Sequence, residues 1–231
     1  MRAVFLLLLS SAAVADYTET RELSADTAGV SLIEIDAAAG SLTVTGSSTV
    51  SAVVVEAKIV IDGMSKEKAT DFIASKTRLE LTRVGDTVRL VSDIGDGGWS
   101  WRTQGYIDLE VQVPDGIDLV IDDSSGSLRV QDVMSHVAID DGSGSVDVFN
   151  VGSLYVDDGS GSIDVRRVAG DVEVDDGSGG LDIVDVGGSV TIDDGSGSIN
   201  VRSVAADLIV LNDGSGGVDY SDIGGRVEID D

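Results

Sequence analysis

From Leu119 onward, apolar and polar residues alternate in short bursts. Val137-Ala-Ile139, Val146-Asp-Val148, Leu154-Tyr-Val156, Ile163-Asp-Val165, Val172-Glu-Val174, Leu181-Asp-Ile183, Val190-Thr-Ile192 and Ile199-Asn-Val201 all read this way. A side-chain period of two predicts strands with one buried face. Each burst is too short to bury itself alone and runs into a turn ending in Gly or Ala. The motif Asp-Asp-Gly-Ser-Gly begins at Asp140, Asp157, Asp175 and Asp193, with variants at Asp122 and Asn212; the spacing from Asp122 to Asp230 is 18, 17, 18, 18, 19 and 18. Each period splits into two nine-residue halves, such as Ser162 to Gly170 and Asp171 to Gly179. Stacked coils would lay Val, Ile and Leu of one repeat over those of the next and pair every strand with its copies above and below. The expected fold is therefore all-β, a parallel β-solenoid of about 18 residues per coil with two principal strands in each.

The two turns of a coil differ. One carries an apolar residue (Val133, Val151, Val168, Val186, Val204, Ile223) and is expected to fold inward as a third, shorter side. The Asp-Asp-Gly-Ser-Gly turn has none and is expected to face water. Gly should close each half where the chain turns through positive φ, which penalises a Cβ.

Residues 16–113 read as a capping region, and 114–231 as the repetitive solenoid. Ser31 to Asp36 and Ser41 to Gly46 resemble degenerate repeat units, and Val50 to Ile61 a longer strand. Ser65 to Lys76 predicts a short helix with Ser65 as N-cap and Ala69, Phe72 and Ile73 on one face. Leu79 to Leu90 predicts a hairpin about Val84-Gly85-Asp86, and Tyr106 to Val113 another strand before Pro114. The cap would blunt a sheet edge at the N-terminal end, with no equivalent visible at the other. Residues 1–15 have a positive start, a short apolar run and an Ala13-Val14-Ala15 end, the layout of a secretory signal peptide; the run is too short to span a bilayer. The expected location is outside the cytoplasm, in the periplasm or at the cell surface, with no membrane insertion after cleavage.

Composition narrows the chemistry. The 231 residues carry 42 Asp and Glu against 15 Lys and Arg, a formal net charge of −27, with 29 Gly, no Cys and one His. Such a charge opposes binding to nucleic acid and to anionic lipid. The His and Cys content excludes a zinc finger and a thiol enzyme. Aromatic residues make up only 4%, so small aliphatic side chains must fill the core.

Three stretches carry a family resemblance: Ala39-Gly-Ser-Leu-Thr-Val-Thr-Gly46, Ile107-Asp-Leu-Glu-Val-Gln-Val-Pro-Asp-Gly-Ile-Asp-Leu119, and the Gly-Ser-Gly-Ser-[Val/Ile]-Asp-Val repeats. Together, over about residues 30–231, the chain resembles the bacterial adhesin-type family with a head GIN-like β-solenoid domain of unknown function. The resemblance implies an exported envelope or surface protein with an adhesive role and no catalytic residues to carry over.

Several side chains are candidates for function. Trp99 and Trp101 lie two apart in a Gly-rich segment, so an extended chain would present both indoles on one side, either to stack on a sugar ring or to lid the solenoid. The lone His136 sits in a turn with no nucleophile nearby in sequence. The pairs Asp140/Asp141, Asp157/Asp158, Asp175/Asp176 and Asp193/Asp194, with Asp122/Asp123, should stack along one edge as an acidic ladder that weakly attracts divalent cations; no other cofactor is expected. Paired carboxylates cleave sugars in some β-helical enzymes, but a catalytic site is a singular break in a repeat, whereas these pairs recur. Calcium-binding nonapeptide repeats place Asp two residues after the last Gly, and here it follows by three, so that cage is not expected. The leading expectation is a non-enzymatic protein presenting an acidic face to a surface; a carbohydrate-binding or carbohydrate-cleaving protein is the alternative, and end-to-end self-association a third role.

Overall fold

The computed structural model describes residues 16–95 and 105–230. Its N-terminal part contains β1 (Tyr17–Asp26), β2 (Leu32–Ser47), β3 (Ala52–Ile61), α1 (Lys66–Lys76), β4 (Thr77–Val84), β5 (Thr87–Ile94) and β6 (Gly105–Pro114). The repeats supply β7 (Asp118–Gln131), β8 (His136–Asp141), β9 (Gly144–Val151), β10 (Ser153–Asp158), β11 (Gly161–Val168), β12 (Val172–Asp176), β13 (Gly179–Val186), β14 (Val190–Asp194), β15 (Gly197–Val204), β16 (Leu208–Asn212), β17 (Gly217–Ile223) and β18 (Val227–Ile229).

The repeats form the expected parallel β-solenoid. Strands β8, β10, β12, β14, β16 and β18 stack in parallel on one side, and β9, β11, β13, β15 and β17 on the other, with β7 opening both ladders. In-register stacking sends every second residue inward. Columns such as Val130–Val148–Val165–Ile183–Val201 and Ile121–Ile139–Val156–Val174–Ile192 are buried throughout. Each fully buried Val, Leu or Ile contributes roughly 1.5–3 kcal/mol, so repetition builds a stable core from small side chains. The apolar turn residues Val133, Val151, Val168, Val186 and Val204 are buried as a third side, while Ile223 in the final coil is only partly covered.

The irregular spacings have local causes. The 17-residue interval drops one residue from a turn: two residues separate Val151 from Leu154, where three separate Val133 from Val137. The 19-residue interval adds one at a register shift between Ile192 and Asp193, which leaves Leu211 51% exposed. A bulge accommodates an extra residue in this way while the ladder resumes beyond it.

Positive φ is divided differently from the expectation. The Gly-Ser-Gly corner does use it, at Gly126, Gly144, Gly161, Gly179 and Gly197. At the opposite corner it falls on non-glycine residues directly before the inward Val or Ile: Asp132, Asn150, Arg167, Asp185, Ser203 and Asp222, all with φ of 56–63°. The glycines that follow serve close approach, since a Cβ on Gly187 would lie 2.3 Å from the Ala169 carbonyl oxygen.

The cap departs from chain order. β2 is one continuous strand, bent at Gly40, and pairs in parallel with β7 along its length, making it the first coil. β5 and β6 then return to its other side, with Leu32 opposite Thr87 and Leu42 opposite Leu109. Beyond them the pairing is antiparallel: β3 on β6, β1 on β3 and β4 on β5. The hairpin turns at Gly85-Asp86, as expected. Helix α1 buries Ala69 and Ile73 and half-buries Phe72; Ser65 takes the N-cap position without a side-chain capping bond.

Candidate functional site

Consecutive strand residues point to opposite faces, and this splits each Asp-Asp pair. The first acids form an outward column, Asp36–Asp122–Asp140–Asp157–Asp175–Asp193, in strict register across six coils. Asp122, Asp140, Asp157 and Asp175 are exposed, and Asp36 and Asp193 half-exposed. Strand neighbours lie about 4.8 Å apart, so the column is a line of like charges well within a Debye length of ~8 Å. Burial and then the neighbouring carboxylates, Asp140 first, push the Asp122 pKa up; Asp157 is raised by burial and then by Asp175 and Asp140.

The second acids overturn the expectation of a wholly water-facing turn. Asp123, Asp141, Asp158, Asp176 and Asp194 are each only 1–2% exposed and point inside the corner. The alternation that buries Val156 and exposes Asp157 continues through Asp158. Three of them organise their own turns: Asp158, Asp176 and Asp194 accept the N–H of Ser160, Ser178 and Ser196 at 3.1, 3.0 and 2.9 Å. Burial pushes Asp123 up to about 7, with Asp141 adding and the Ser125 N–H opposing. Burial likewise raises Asp141 and Asp176 to about 6 and moves Asp158 and Asp194 upward.

The acidic ladder of the sequence reading is thus two ladders on opposite sides of one backbone. Among the described residues, no three His, Cys, Asp or Glu side chains converge in a metal-holding group. Trp99 and Trp101 lie outside the described residues.

His136 gains a neighbour that sequence distance concealed. Its Nδ1 is 2.9 Å from Ser153 Oγ on the next coil, and Asp118 on the previous coil accepts its backbone N–H at 3.2 Å. The same Asp118 oxygen accepts the Ser135 hydroxyl. One coil period separates these positions, which was the available signal. Nucleophile and base therefore meet, but the backbone N–H groups around Ser153 are engaged: Gly152 and Ser153 bond Ser135 O at 3.1 and 3.3 Å, and Leu154 bonds Asp171 O at 3.0 Å. An oxyanion needs free donors aimed at it, and these are spent on the ladder.

On the other broad side, a shallow groove of about 310 Å³ is lined by Thr43, Ser127, Arg129, Ser145, Asp147, Ser162 and Asp164 among others. Arg129 bridges coils to Asp147 at 2.8 Å.

No family model matches the chain, and no curated protein does. Solved structures with similarity to it include a putative adhesin from Bacteroides fragilis NCTC 9343, 13% identical, covering 92% of this chain and 97% of that one with a TM-score of 0.44. A putative adhesin from Parabacteroides distasonis ATCC 8503 is 12% identical over 91% of this chain and 97% of its own, TM-score 0.39. A putative cell adhesion protein from Clostridium sporogenes ATCC 15579 is 12% identical over 92% and 99%, TM-score 0.33. Their names match the adhesin-type family that the sequence resembles.

Proposed function

We propose that the protein is a non-enzymatic, exported β-solenoid that holds a cationic surface or partner against its flat acidic face. The observation that supports this reading is the outward column Asp36–Asp122–Asp140–Asp157–Asp175–Asp193, in register across six coils. Like charges about 4.8 Å apart repel by roughly 1 kcal/mol each in water. A polycation relieves that repulsion at several coils at once, and the rigid ladder adds no ordering cost. A site of this kind is extended rather than pocketed, which agrees with the repetition of its residues. No helix among the described residues is long and apolar enough to cross a membrane. A hydroxyl-bearing glycan in the groove beside Thr43, Ser127 and Ser145 is the second reading, favoured by that lining.

The test is retention of the full chain on beads coated with polylysine or with neutral dextran, across a salt series. Wild type should bind polylysine in a salt-sensitive manner, and Asp140→Asn/Asp157→Asn/Asp175→Asn should bind at least tenfold more weakly with an unchanged circular dichroism spectrum. Equal retention of wild type and the triple variant overturns the acidic-face reading. Salt-insensitive binding to dextran moves the function to the groove.

A further inference from the structure

The inner carboxyls have no part in the surface reading, and their geometry is unusual. Asp123, Asp141, Asp158, Asp176 and Asp194 stand opposite one another in consecutive parallel pairings. All five are buried, and among the described residues Asp123 Oδ2, both oxygens of Asp141, Asp158 Oδ2 and Asp176 Oδ2 have no hydrogen-bond partner. Buried carboxylate oxygens without partners are costly, because a carboxylate is acceptor-only and its neighbours here are acceptors as well. A protonated carboxyl changes the count by adding an O–H donor, and the register sets the carboxyl of the next coil directly opposite as its acceptor.

We propose that these five inner Asp side chains form a proton-sharing ladder, in which carboxyls on adjacent coils are bridged by O–H···O bonds, so that the solenoid takes up protons when it folds and is held more tightly in mild acid than in mild alkali. Among the described residues, no Lys or Arg acts on any of the five inner carboxyls. The outward acids Asp122, Asp140, Asp157, Asp175 and Asp193 flank it, and Asp213 lies near its Asp194 end. Arg89 acts on Asp122 in the outer column. Across the interior the facing strands present Val146, Val148, Ile163, Val165, Leu181, Ile183, Ile199 and Val201, none of which titrates, and the ladder ends below Asp123 on Ala37.

The direction of the pH effect follows from burial, which raises these groups to about 7 at Asp123 and about 6 at Asp141 and Asp176. A carboxyl with a raised folded-state pKa contributes stability that is complete below its unfolded value near ~3.9 and is lost as pH rises through the folded value. Between about pH 5 and about pH 6 the unfolded chain has released these protons and the folded chain still binds them, and Asp123 keeps its proton to about pH 7. Two protons held in that window change the folding constant roughly a hundredfold per pH unit.

The experiment is urea unfolding of the full chain, followed by circular dichroism at constant ionic strength from about pH 5 to about pH 8. Wild type should show a falling midpoint as pH rises. Asp141→Asn/Asp158→Asn/Asp176→Asn supplies a permanent N–H donor in place of the proton and leaves only Asp123 and Asp194 to titrate, so its midpoint should fall less steeply than that of wild type and exceed it at the alkaline end. Asp140→Asn/Asp175→Asn on the outer face should keep the wild-type slope. A flat or rising wild-type profile overturns the proposal, as does a slope removed by the outer pair and kept by the inner triple, which would assign it to general charge repulsion. Calcium that restores at neutral pH what acid supplies, reversed by a chelator, would mean that the ladder holds ions rather than protons. Should the inner triple fail to fold, infrared spectra of wild type near about pH 6 decide: a protonated-carboxyl carbonyl band is expected, and its absence refutes the ladder.

Discussion

Replacing Gly161 by Ala tests the corner on which the whole stack depends. Gly161 has φ of 151°, and a Cβ placed there would lie 1.7 Å from the Gly144 carbonyl oxygen and 2.7 Å from its carbon. A carbon tolerates an oxygen no closer than about 3.3 Å, so the coils must part by more than about 1.5 Å at this corner or the residue must abandon its conformation. Parting the coils puts at risk the bond that joins them at this corner, from Gly144 N–H to Ser160 O at 3.0 Å. One backbone bond at about 1 kcal/mol, with about 1–3 kcal/mol for a side chain in a Gly-only region, gives a loss of roughly 2–4 kcal/mol. Gly180→Ser is the matched control. Only Ser198 Oγ, at 3.8 Å, lies near that position, and its register partners are Ser162 and Ser198. Its effect should stay within about 0.5 kcal/mol. Urea denaturation followed by circular dichroism reads both. If Gly161→Ala unfolds at the wild-type midpoint, the close coil contact at this corner is wrong.

Two further substitutions test the faces and the opposite corner. Ile183→Asp should cost several kcal/mol in the same assay, because it buries an unpaired charge, while Asp182→Ala on the outward face should change little; the reverse order would shift the register by one residue. Asn150→Ala removes the 2.6 Å bond from its Nδ2 to Asp132 Oδ1 and leaves a Cβ at φ 58°, for a loss of about 1–2 kcal/mol; Asn150→Gly should lose less, and equal losses would show that backbone strain at this corner is unimportant.

The strand columns were legible because two independent periods agree, two within a strand and about 18 between coils. Every Val, Ile and Leu of the bursts from Val146 to Val201 is buried on that account. The fate of the paired acids is hidden by the motif itself, because Asp-Asp-Gly-Ser-Gly reads as one polar turn although the alternation runs on into it. Carrying the period one residue further puts Asp158 beside Val156 on the inner face. The left-handed corner escaped for a different reason: Asp132, Asn150, Arg167, Asp185, Ser203 and Asp222 share no side-chain chemistry, and only the three-residue step from Val148 to Val151, where alternation demands two, marks the extra residue. In the cap, β5 and β6 come after β2 in the chain yet precede it in the stack, so local pattern could name the strands but not their order. The polar strand β1 also had too weak a pattern to be named: its alternate residues are only half-buried at the edge of the cap.

The two acidic ladders are products of one dipeptide. Because neighbouring residues in a strand face opposite ways, an Asp-Asp step repeated once per coil necessarily builds an inner and an outer column of equal spacing. On the proposed function the outer column gains from repetition, since each coil would offer a cationic partner the same weak contact and several simultaneous contacts would multiply into firm attachment. The inner column needs repetition for another reason: a single buried carboxyl would lack a partner, whereas a stacked series lets each one bond the next once protons are shared. A catalytic centre requires neither condition. A multivalent face and a self-satisfied interior both require the unit to be repeated whole, and the Asp-Asp-Gly-Ser-Gly turns at Asp140, Asp157, Asp175 and Asp193 have that form.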